Sequence, residues 1–302
     1  MKMMKTACKL LVVVVVVFAV CFAATKAGKA GAPPRAAIFR PPPVRGAVPW
    51  THTRFENDPR DFQFAIVSDL NGGYRAGVFP EAVKKLNLLH PEFVISIGDL
   101  IDGGVHTPAV LAEEWKEFDA FVAELRMPFF YVSGNHDVNV PLKRKIWQRR
   151  YGEPYYHFLY QDVLFLVLDT GDYGEMPDVQ IEYVRKVLSD NPSPRWTLVF
   201  MHQPVWLYKK LYKKDTGWEK IEPLLKGRNH TAFAGHWHQY QKYVRGGQTY
   251  VVLASTGGAS KLRGPKFGEF DHVVWVTMTD KGPIIANLML DGIYDENIRV
   301  MK

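Results

Sequence analysis

Five short apolar segments of this chain each run directly into residues that can bind a metal ion. These segments, which we predict to be β-strands, are Phe64–Ser68, Phe93–Ile97, Phe129–Val132, Trp196–Met201 and Ala232–Ala234. An Asp, Asn or His follows each segment within a few residues. The carboxyl ends of the strands surround the ligand crevice in open α/β sheets, so these polar side chains can converge. The sequence therefore predicts an α/β fold with one polar site at the strand ends.

Helices are predicted between the first three strands. Apolar residues with spacings of three and four predict an amphipathic helix on Leu111, Trp115, Phe118, Val122 and Leu125. A further helix is predicted from Pro80 to Leu89. Strands that alternate with helices in this way are typical of βαβ units and parallel strand pairs.

Other segments are predicted to pair in antiparallel fashion. Tyr155–Tyr160 and Val163–Leu168 flank a two-residue turn and predict a hairpin. Near the C-terminus, Tyr250–Ala254, Val273–Thr279 and Ile284–Leu290 are predicted to form a meander. We expect one α/β domain with mixed sheets over residues 61–302.

The polar residues at the strand ends can be read in more than one way. They are, in chain order, Asp69, Asn71, Asp99, Asp102, Asn135, His136, His202, His236 and His238. Taken singly, Asp69 or Asp99 could cap a helix or form a turn, and His202 could be a structural histidine. His236 and His238 alternate on an extended segment and so point the same way. Their occurrence in series, each at a strand end, favours a single metal centre over unrelated caps.

In order and spacing these groups resemble the signature of the calcineurin-like metallophosphoesterases, which runs D-x-H, G-D-x-x-D, G-N-H-[DE], H and G-H-x-H. The resemblance extends from Asp69 to His238. It implies two mixed β-sheets packed as a sandwich and flanked by helices. It also implies two divalent metal ions and hydrolysis of phosphate esters by a hydroxide that bridges them.

The resemblance also implies a role for each residue. It assigns the first ion to Asp69, Asn71 and His238, the second ion to Asn135, His202 and His236, and both ions to Asp99. His136 would bind the phosphate together with Asn135 and protonate the leaving group, and the carboxylate of Asp102 would orient His136. The implied ions are Mn²⁺, Fe²⁺ or Fe³⁺, or Zn²⁺.

Two positions depart from patterns in this superfamily. Asn71 stands where the family usually has a histidine, and its amide oxygen favours Mn²⁺, Mg²⁺ or Ca²⁺ over Zn²⁺. Gly103 follows Asp102 where the phosphoprotein phosphatases place an arginine that grips phosphate, which argues against that branch.

Two further features have no settled role. The glycine-rich segment 257–260 follows an apolar strand and fits either a phosphate-facing loop or an ordinary connection. Asp169 follows another strand and could support the metal ligands or form a turn.

The N-terminus predicts export. Lys2, Lys5 and Lys9 precede an apolar run from Leu10 to Ala24, which as a helix would span about 22 Å. That length is short for a hydrocarbon core of about 30 Å, so residues 1–24 are predicted to be a signal peptide, with an uncleaved signal anchor as the alternative. Residues 25–60 are predicted to be a Pro/Ala/Lys-rich linker. The protein would be periplasmic, extracellular or membrane-anchored.

The net charge of +7 comes from this same region. Residues 1–50 contain eight lysines and arginines and no acid, so the rest of the chain is close to neutral and gives no reason to expect nucleic acid binding. Both cysteines, Cys8 and Cys21, lie in the leader, so the mature protein needs no disulfide.

The sequence therefore predicts an exported metal-dependent phosphoesterase that acts on a phosphate-ester substrate. A phosphodiesterase or pyrophosphatase with the same chemistry is one alternative. A scaffold that binds phosphate ligands without turnover is another. No protein partner is predicted beyond the possible membrane tether.

Overall fold

The computed structural model describes residue 51, residues 58–171 and residues 173–293. In chain order the elements are β1 (Phe62–Val67), α1 (Val78–Leu89), β2 (Val94–Ser96), α2 (Pro108–Ala123), β3 (Phe129–Phe130), α3 (Asn135–Val138), α4 (Pro141–Tyr151), β4 (Tyr156–Tyr160), β5 (Val163–Leu168), α5 (Asp178–Asp190), β6 (Trp196–Met201), α6 (Tyr208–Tyr212), α7 (Trp218–Ile221), β7 (His230–Ala234), β8 (Gln241–Arg245), β9 (Gln248–Val252), β10 (His272–Thr279) and β11 (Gly282–Met289). Short 3₁₀ turns lie at Val205–Leu207, Glu222–Leu225, Pro265–Phe267 and Leu290–Gly292.

The strands form two mixed sheets. The first has the order β11-β10-β1-β2-β3, in which β1, β2 and β3 are parallel and β10 and β11 are antiparallel to their neighbours. The second has the order β4-β5-β6-β7-β9-β8. Its inner strands β5, β6, β7 and β9 are parallel, and antiparallel β4 and β8 close the two edges.

The two sheets pack face to face because alternate residues of each strand point to opposite sides. In β1, Phe64 and Ile66 enter the core between the sheets, while Ala65 and Val67 face the outer layer. In β6, Phe200 enters the same central core. Since both faces of these strands are covered, their sequences are continuous apolar runs rather than alternating ones.

Helices cover the outer face of each sheet. Phe79 of α1, Trp115 of α2 and Trp147 of α4 pack on the first sheet. Val184 of α5 and Trp218 of α7 pack on the second. The predicted fold, two mixed sheets packed as a sandwich and flanked by helices, is confirmed.

The predicted positions of the strands agree with the structure better than their predicted pairings do. The strand Trp196–Met201 matches β6, and the predicted hairpin matches β4 and β5. The predicted C-terminal meander is wrong. Its first segment overlaps β9 of the second sheet, which pairs with β7 and β8, while β10 and β11 form a hairpin in the first sheet. The edge strand β8 was not predicted, since Gln241–Arg245 has few apolar residues.

The predicted leader (residues 1–24) and nearly all of the predicted linker (residues 25–60) lie outside the described residues. The boundary of the domain at residue 61 and the leader therefore stay predictions. Within the part of the chain that the structure describes, no helix has the length and apolar character needed to cross a membrane.

Candidate metal centre

The candidate metal centre lies where strands of both sheets end. Asp69 follows β1, Asp99 follows β2, His202 follows β6 and His236 follows β7. A hydrogen bond of 2.9 Å from His202 Nδ1 to the carbonyl oxygen of Ile97 connects the end of β6 to the end of β2. The sandwich thus brings polar residues from the ends of two sheets to one place.

The backbone at these strand ends is unusual. Asp69, Asp99, His236 and His238 have φ values of 40°, 56°, 71° and 52°, in the left-handed region that residues with a Cβ seldom adopt. Such conformations cost on the order of 1–3 kcal/mol each and persist where the surrounding structure imposes them, which is common at functional sites. The four residues follow three strands, β1, β2 and β7, and their conformation re-aims the side chains toward a common point.

One group of acceptor atoms surrounds His202 Nε2. Because Nδ1 donates its proton to Ile97, Nε2 carries the lone pair of the neutral ring. It lies 3.1 Å from Asp99 Oδ2, 3.0 Å from Asn135 Oδ1 and 3.2 Å from His236 Nδ1. Asp99, His202 and His236 form one cluster with potential metal-ligand geometry.

A second group shares Asp99 with the first. Asp69, Asp99 and His238 form a cluster in which His238 Nε2 lies 3.4 Å from Asp69 Oδ1. His238 Nδ1 donates to the carbonyl oxygen of Ala259 over 2.7 Å, so Nε2 is again the ligand atom. Asn71 lies on this side of the site, and its backbone N–H donates to the carbonyl oxygen of Asp99 over 3.0 Å.

The donor set fits a pair of cations. A single proton on His202 Nε2 cannot satisfy a carboxylate oxygen, an amide oxygen and an imidazole nitrogen together, whereas a metal ion can bind all of these atoms. The amide nitrogen of Asn71 donates to the carbonyl oxygen of Leu100 over 3.2 Å, and its oxygen is buried with no hydrogen-bond partner among the described residues. An unpartnered buried oxygen of this kind is suited to a hard divalent cation.

The electrostatics of the centre agree with this interpretation. Burial lowers the pKa of His202, but the carboxylates of Asp99 and Asp69 outweigh burial and raise it to about 9. Burial and the neighbouring His202 lower the pKa of His236 to about 4. Without another cation, a proton on His202 therefore balances the carboxylates, and metal binding would displace it.

His136 lies beside the centre without joining either cluster. Its backbone N–H donates to Asp99 Oδ1 over 2.9 Å, and its ring Nε2 lies 4.0 Å from Asp99 Oδ2. Its Nδ1 donates to the main-chain carbonyl oxygen of Asp102. The resemblance implies that the carboxylate of Asp102 orients this ring, but the contact in the structure comes from the backbone.

We therefore expect Asp102→Asn to lower kcat for an aryl phosphate by no more than about threefold, because the carbonyl that holds His136 remains. His136→Gln, which removes the ring itself, should lower kcat for the same ester by about 10²-fold or more when its leaving group is a weakly acidic phenol that needs a proton donor. Steady-state kinetics of both variants would decide the point. A loss of kcat for Asp102→Asn as large as that for His136→Gln would show that the carboxylate of Asp102 orients the His136 ring.

Lys143 is a buried lysine at this site that is not among the residues predicted from the sequence. It lies on α4, and its Nζ donates to the carbonyl oxygens of Gly103 and His136 over 3.0 and 2.8 Å. It thereby ties the loop after β2 to the turn that carries His136. The available signal was a lysine four residues before Trp147, on the apolar face of the helix.

The glycine-rich segment supports the ligands from outside. Gly258 N–H donates to the carbonyl oxygen of Asp69 over 2.7 Å, and the carbonyl oxygen of Ala259 accepts the hydrogen bond from His238 Nδ1. A Cβ at Gly258 would lie 2.5 Å from the carbonyl oxygen of Asn71 and 2.8 Å from that of Asp69. Since the N–H of Gly258 is already bonded to protein, the segment holds Asp69 and His238 in place.

Comparison with known proteins identifies the family. The family model for calcineurin-like phosphoesterases matches residues 62–240, which is more than half of the chain and includes all the residues of the two candidate ligand clusters. The chain belongs to the calcineurin-like phosphoesterase family. It is accordingly a hydrolase of phosphoric ester bonds, and the family depends on divalent metal ions.

Two curated relatives of this phosphoesterase have different names. The serine/threonine-protein phosphatase CPPED1 of Bos taurus is 28% identical over 254 residues, covering 74% of this chain and 77% of the relative. The probable glycerophosphodiester phosphodiesterase GpdQ of Arcobacter nitrofigilis is 28% identical over 163 residues, covering 49% of this chain and 57% of the relative.

Solved structures agree on the fold of the phosphoesterase. The purple acid phosphatase PPD1 from yellow lupin (Lupinus luteus) seeds superposes with a TM-score of 0.60 at 16% identity, over 78% of this chain. The phosphoesterase spans only 53% of the length of the lupin chain.

Proposed function

We propose that this chain is an exported phosphoesterase that works with two divalent metal ions. The observation that carries the proposal is the position of Asp99, whose carboxylate belongs to both candidate ligand clusters. A carboxylate shared in this way is suited to bridging two ions. Asp69, Asn71 and His238 would complete one ion's ligands, and Asn135, His202 and His236 the other's.

When bound, the paired ions supply a water of lowered pKa and positive charge for the phosphoryl oxygens. The protein contributes two buried carboxylates, Asp69 and Asp99, so a pair of divalent ions leaves net positive charge for a phosphate dianion. We propose Mn²⁺, Fe²⁺ or Fe³⁺, or Zn²⁺ as the ions, with Mg²⁺ or Ca²⁺ suited to the side of Asn71 because its ligand atom is an amide oxygen.

His136 is proposed to donate a proton to the leaving group. Its Nδ1 is engaged with the carbonyl of Asp102, so Nε2 is the atom free to exchange a proton with substrate. Its side chain is 31% exposed, whereas those of Asp99 and His202 are almost fully buried, so it can reach solvent and substrate. The amide of Asn135, whose Oδ1 lies 3.0 Å from His202 Nε2, is proposed to contact the phosphate.

The type of ester is a second level of the proposal. The relatives of this chain include a protein named as a serine/threonine-protein phosphatase and one named as a probable phosphodiesterase, and the metal centre suits both kinds of ester. We favour a phosphate monoester of small or medium size, with a phosphodiester or pyrophosphate substrate as the alternative. The retained His136 speaks against a scaffold without turnover, since a scaffold needs no proton donor.

Export is supported only by sequence. The lysines at positions 2, 5 and 9, followed by the apolar run from Leu10 to Ala24, are the features of a signal peptide or signal anchor. We propose that the enzyme acts in the periplasm or outside the cell, either released or tethered through its N-terminus.

The test is hydrolysis of an aryl phosphate and the matching bis-aryl diester by the purified chain. We expect turnover of the monoester with added Mn²⁺, its loss after chelation, and a fall in the unfolding temperature of several degrees when the metal is removed. Scanning calorimetry and metal analysis before and after chelation provide the second readout. Absence of turnover with Mn²⁺, Fe²⁺ and Zn²⁺, in a protein that binds two ions, would favour the scaffold.

A further inference from the structure

Arg144 is paired with Asp169, which follows the strand next to β6 in the second sheet, and β6 leads into His202 of the metal centre. Arg144 is in the first turn of α4, and its Nη1 donates to Asp169 Oδ2 over 2.6 Å. Asp169 directly follows β5, and its other oxygen accepts from the N–H of Gly171 over 2.7 Å. The turn after β5 therefore holds the Asp169 carboxylate in place, and this carboxylate holds the guanidinium of Arg144.

Three features connect this position to the centre. Leu168 of β5 is in register with Met201 of β6, so Asp169 and His202 directly follow the paired ends of two neighbouring strands. The N–H of the residue after His202, Gln203, donates to the hydroxyl of Thr170 over 3.1 Å. Lys143, the residue before Arg144, donates from its Nζ to the carbonyl oxygen of His136.

The guanidinium keeps hydrogen-bonding capacity. Of its five N–H donors, only the one that meets Asp169 has a hydrogen-bond partner among the described side chains and carbonyls. The Arg144 side chain is 36% exposed, whereas Asp169 is buried. The helix adds to the positive field, since α4 has five cationic residues and no acid: Lys143, Arg144, Lys145, Arg149 and Arg150.

We propose that Arg144 binds a second anionic group of the substrate, so that the preferred phosphate esters also contain a carboxylate or a second phosphate. A guanidinium is planar and presents paired N–H groups that match either anion. Asp169 holds the group in place and so reduces the entropy lost when the anion binds. The proposal deepens the proposed function, because it concerns the rest of the substrate whose phosphate binds at the metal centre.

The test measures binding without turnover. Three phosphonates, which are not cleaved, are titrated calorimetrically into the full chain with Mn²⁺: propylphosphonate, 3-phosphonopropionate and 1,3-propanediphosphonate. We expect the two ligands with a second anion to bind the wild type at least about tenfold more tightly than propylphosphonate. In Arg144→Met this preference should fall to about twofold or less, while the affinity for propylphosphonate changes little.

The control is Arg149→Met, which removes an equal charge from an exposed position on the same helix and should leave the preference intact. Arg144→Lys should keep part of the preference, and it serves as the test if Arg144→Met does not fold. Comparing the two ligands that have a second anionic group shows which second anion the site prefers. Equal affinity of the wild type for all three ligands, or an equal loss for all three in Arg144→Met, would overturn the proposal.

The two proposals can fail separately. An Arg144-dependent preference in a protein that hydrolyses no phosphate ester would retain the anion site and reject the enzymatic function. Hydrolysis of an aryl phosphate without that preference would retain the function and reject the anion site.

Discussion

Asp99→Asn is expected to lower kcat/KM for an aryl phosphate at least about 1000-fold and to reduce the bound metal from two ions per chain toward one. Asp99 is the residue common to both ligand clusters, and its Oδ2 lies 3.1 Å from His202 Nε2. An amide has one oxygen and no charge, so it can neither bridge two cations nor balance their charge as well. Elemental analysis of the purified variant, together with steady-state kinetics, measures both effects.

A matched control for this prediction is Asp119→Asn, which replaces an outer carboxylate paired with Arg150. It should change neither metal content nor kcat/KM by more than about twofold. Full activity and two bound ions in Asp99→Asn would show that the carboxylate does not bridge the ions, and the proposed centre would then be wrong.

Gly134→Ala is the second large effect that we expect. A Cβ at this position would lie 2.2 Å from both the N and Oδ1 of Asp99, far inside van der Waals contact. The chain cannot easily retreat, because Gly134 N–H donates to the buried carboxylate of Asp137 over 2.7 Å. We expect a loss of about 3 kcal/mol in the free energy of unfolding, with the unfolding temperature lowered by roughly 6–12 °C. Activity should fall at least about 100-fold, since the methyl group displaces Asp99.

Gly292→Ala provides the control, because a Cβ there meets no atom within 4 Å. Its unfolding temperature should stay within about 2 °C of the wild type. Thermal unfolding and metal analysis of both variants separate a local clash from a general effect of adding a methyl group. An unchanged unfolding temperature in Gly134→Ala would mean that the segment after β3, which contains Gly134, is packed less closely against Asp99 than the structure shows.

Several elements of the fold could be predicted from short stretches of sequence, but their partners could not. The segment Trp196–Met201 was identified because its continuous apolar run is typical of a strand covered on both faces. The apolar run at Tyr250 also predicts a strand, but the predicted meander pairs it with β10, which lies in the other sheet. The pairing of this strand with β7 depends on residues far away in the chain, and an apolar run carries no information about which neighbour it meets.

The same division holds within the site. Asp69, Asp99, His202, His236 and His238 were identified as candidate ligands because each follows a strand and has suitable chemistry. The contact of the Asp102 backbone, rather than its carboxylate, with His136 could not be predicted, since it depends on the path of the loop after β2. Lys143 was missed because a buried lysine contradicts the usual rule that lysines face solvent.

The sequence by itself therefore determined the strand ends, the types of donor atom and the family. These properties depend on local patterns and on the chemistry of single side chains. Only the tertiary structure decided which atoms face one another. The packing of two sheets brings His202 Nε2 within reach of Asp99, Asn135 and His236, and the fold pairs Arg144 with Asp169 at the end of the strand next to β6. Those contacts join residues far apart in the chain, so they arise only when the sheets have paired and packed.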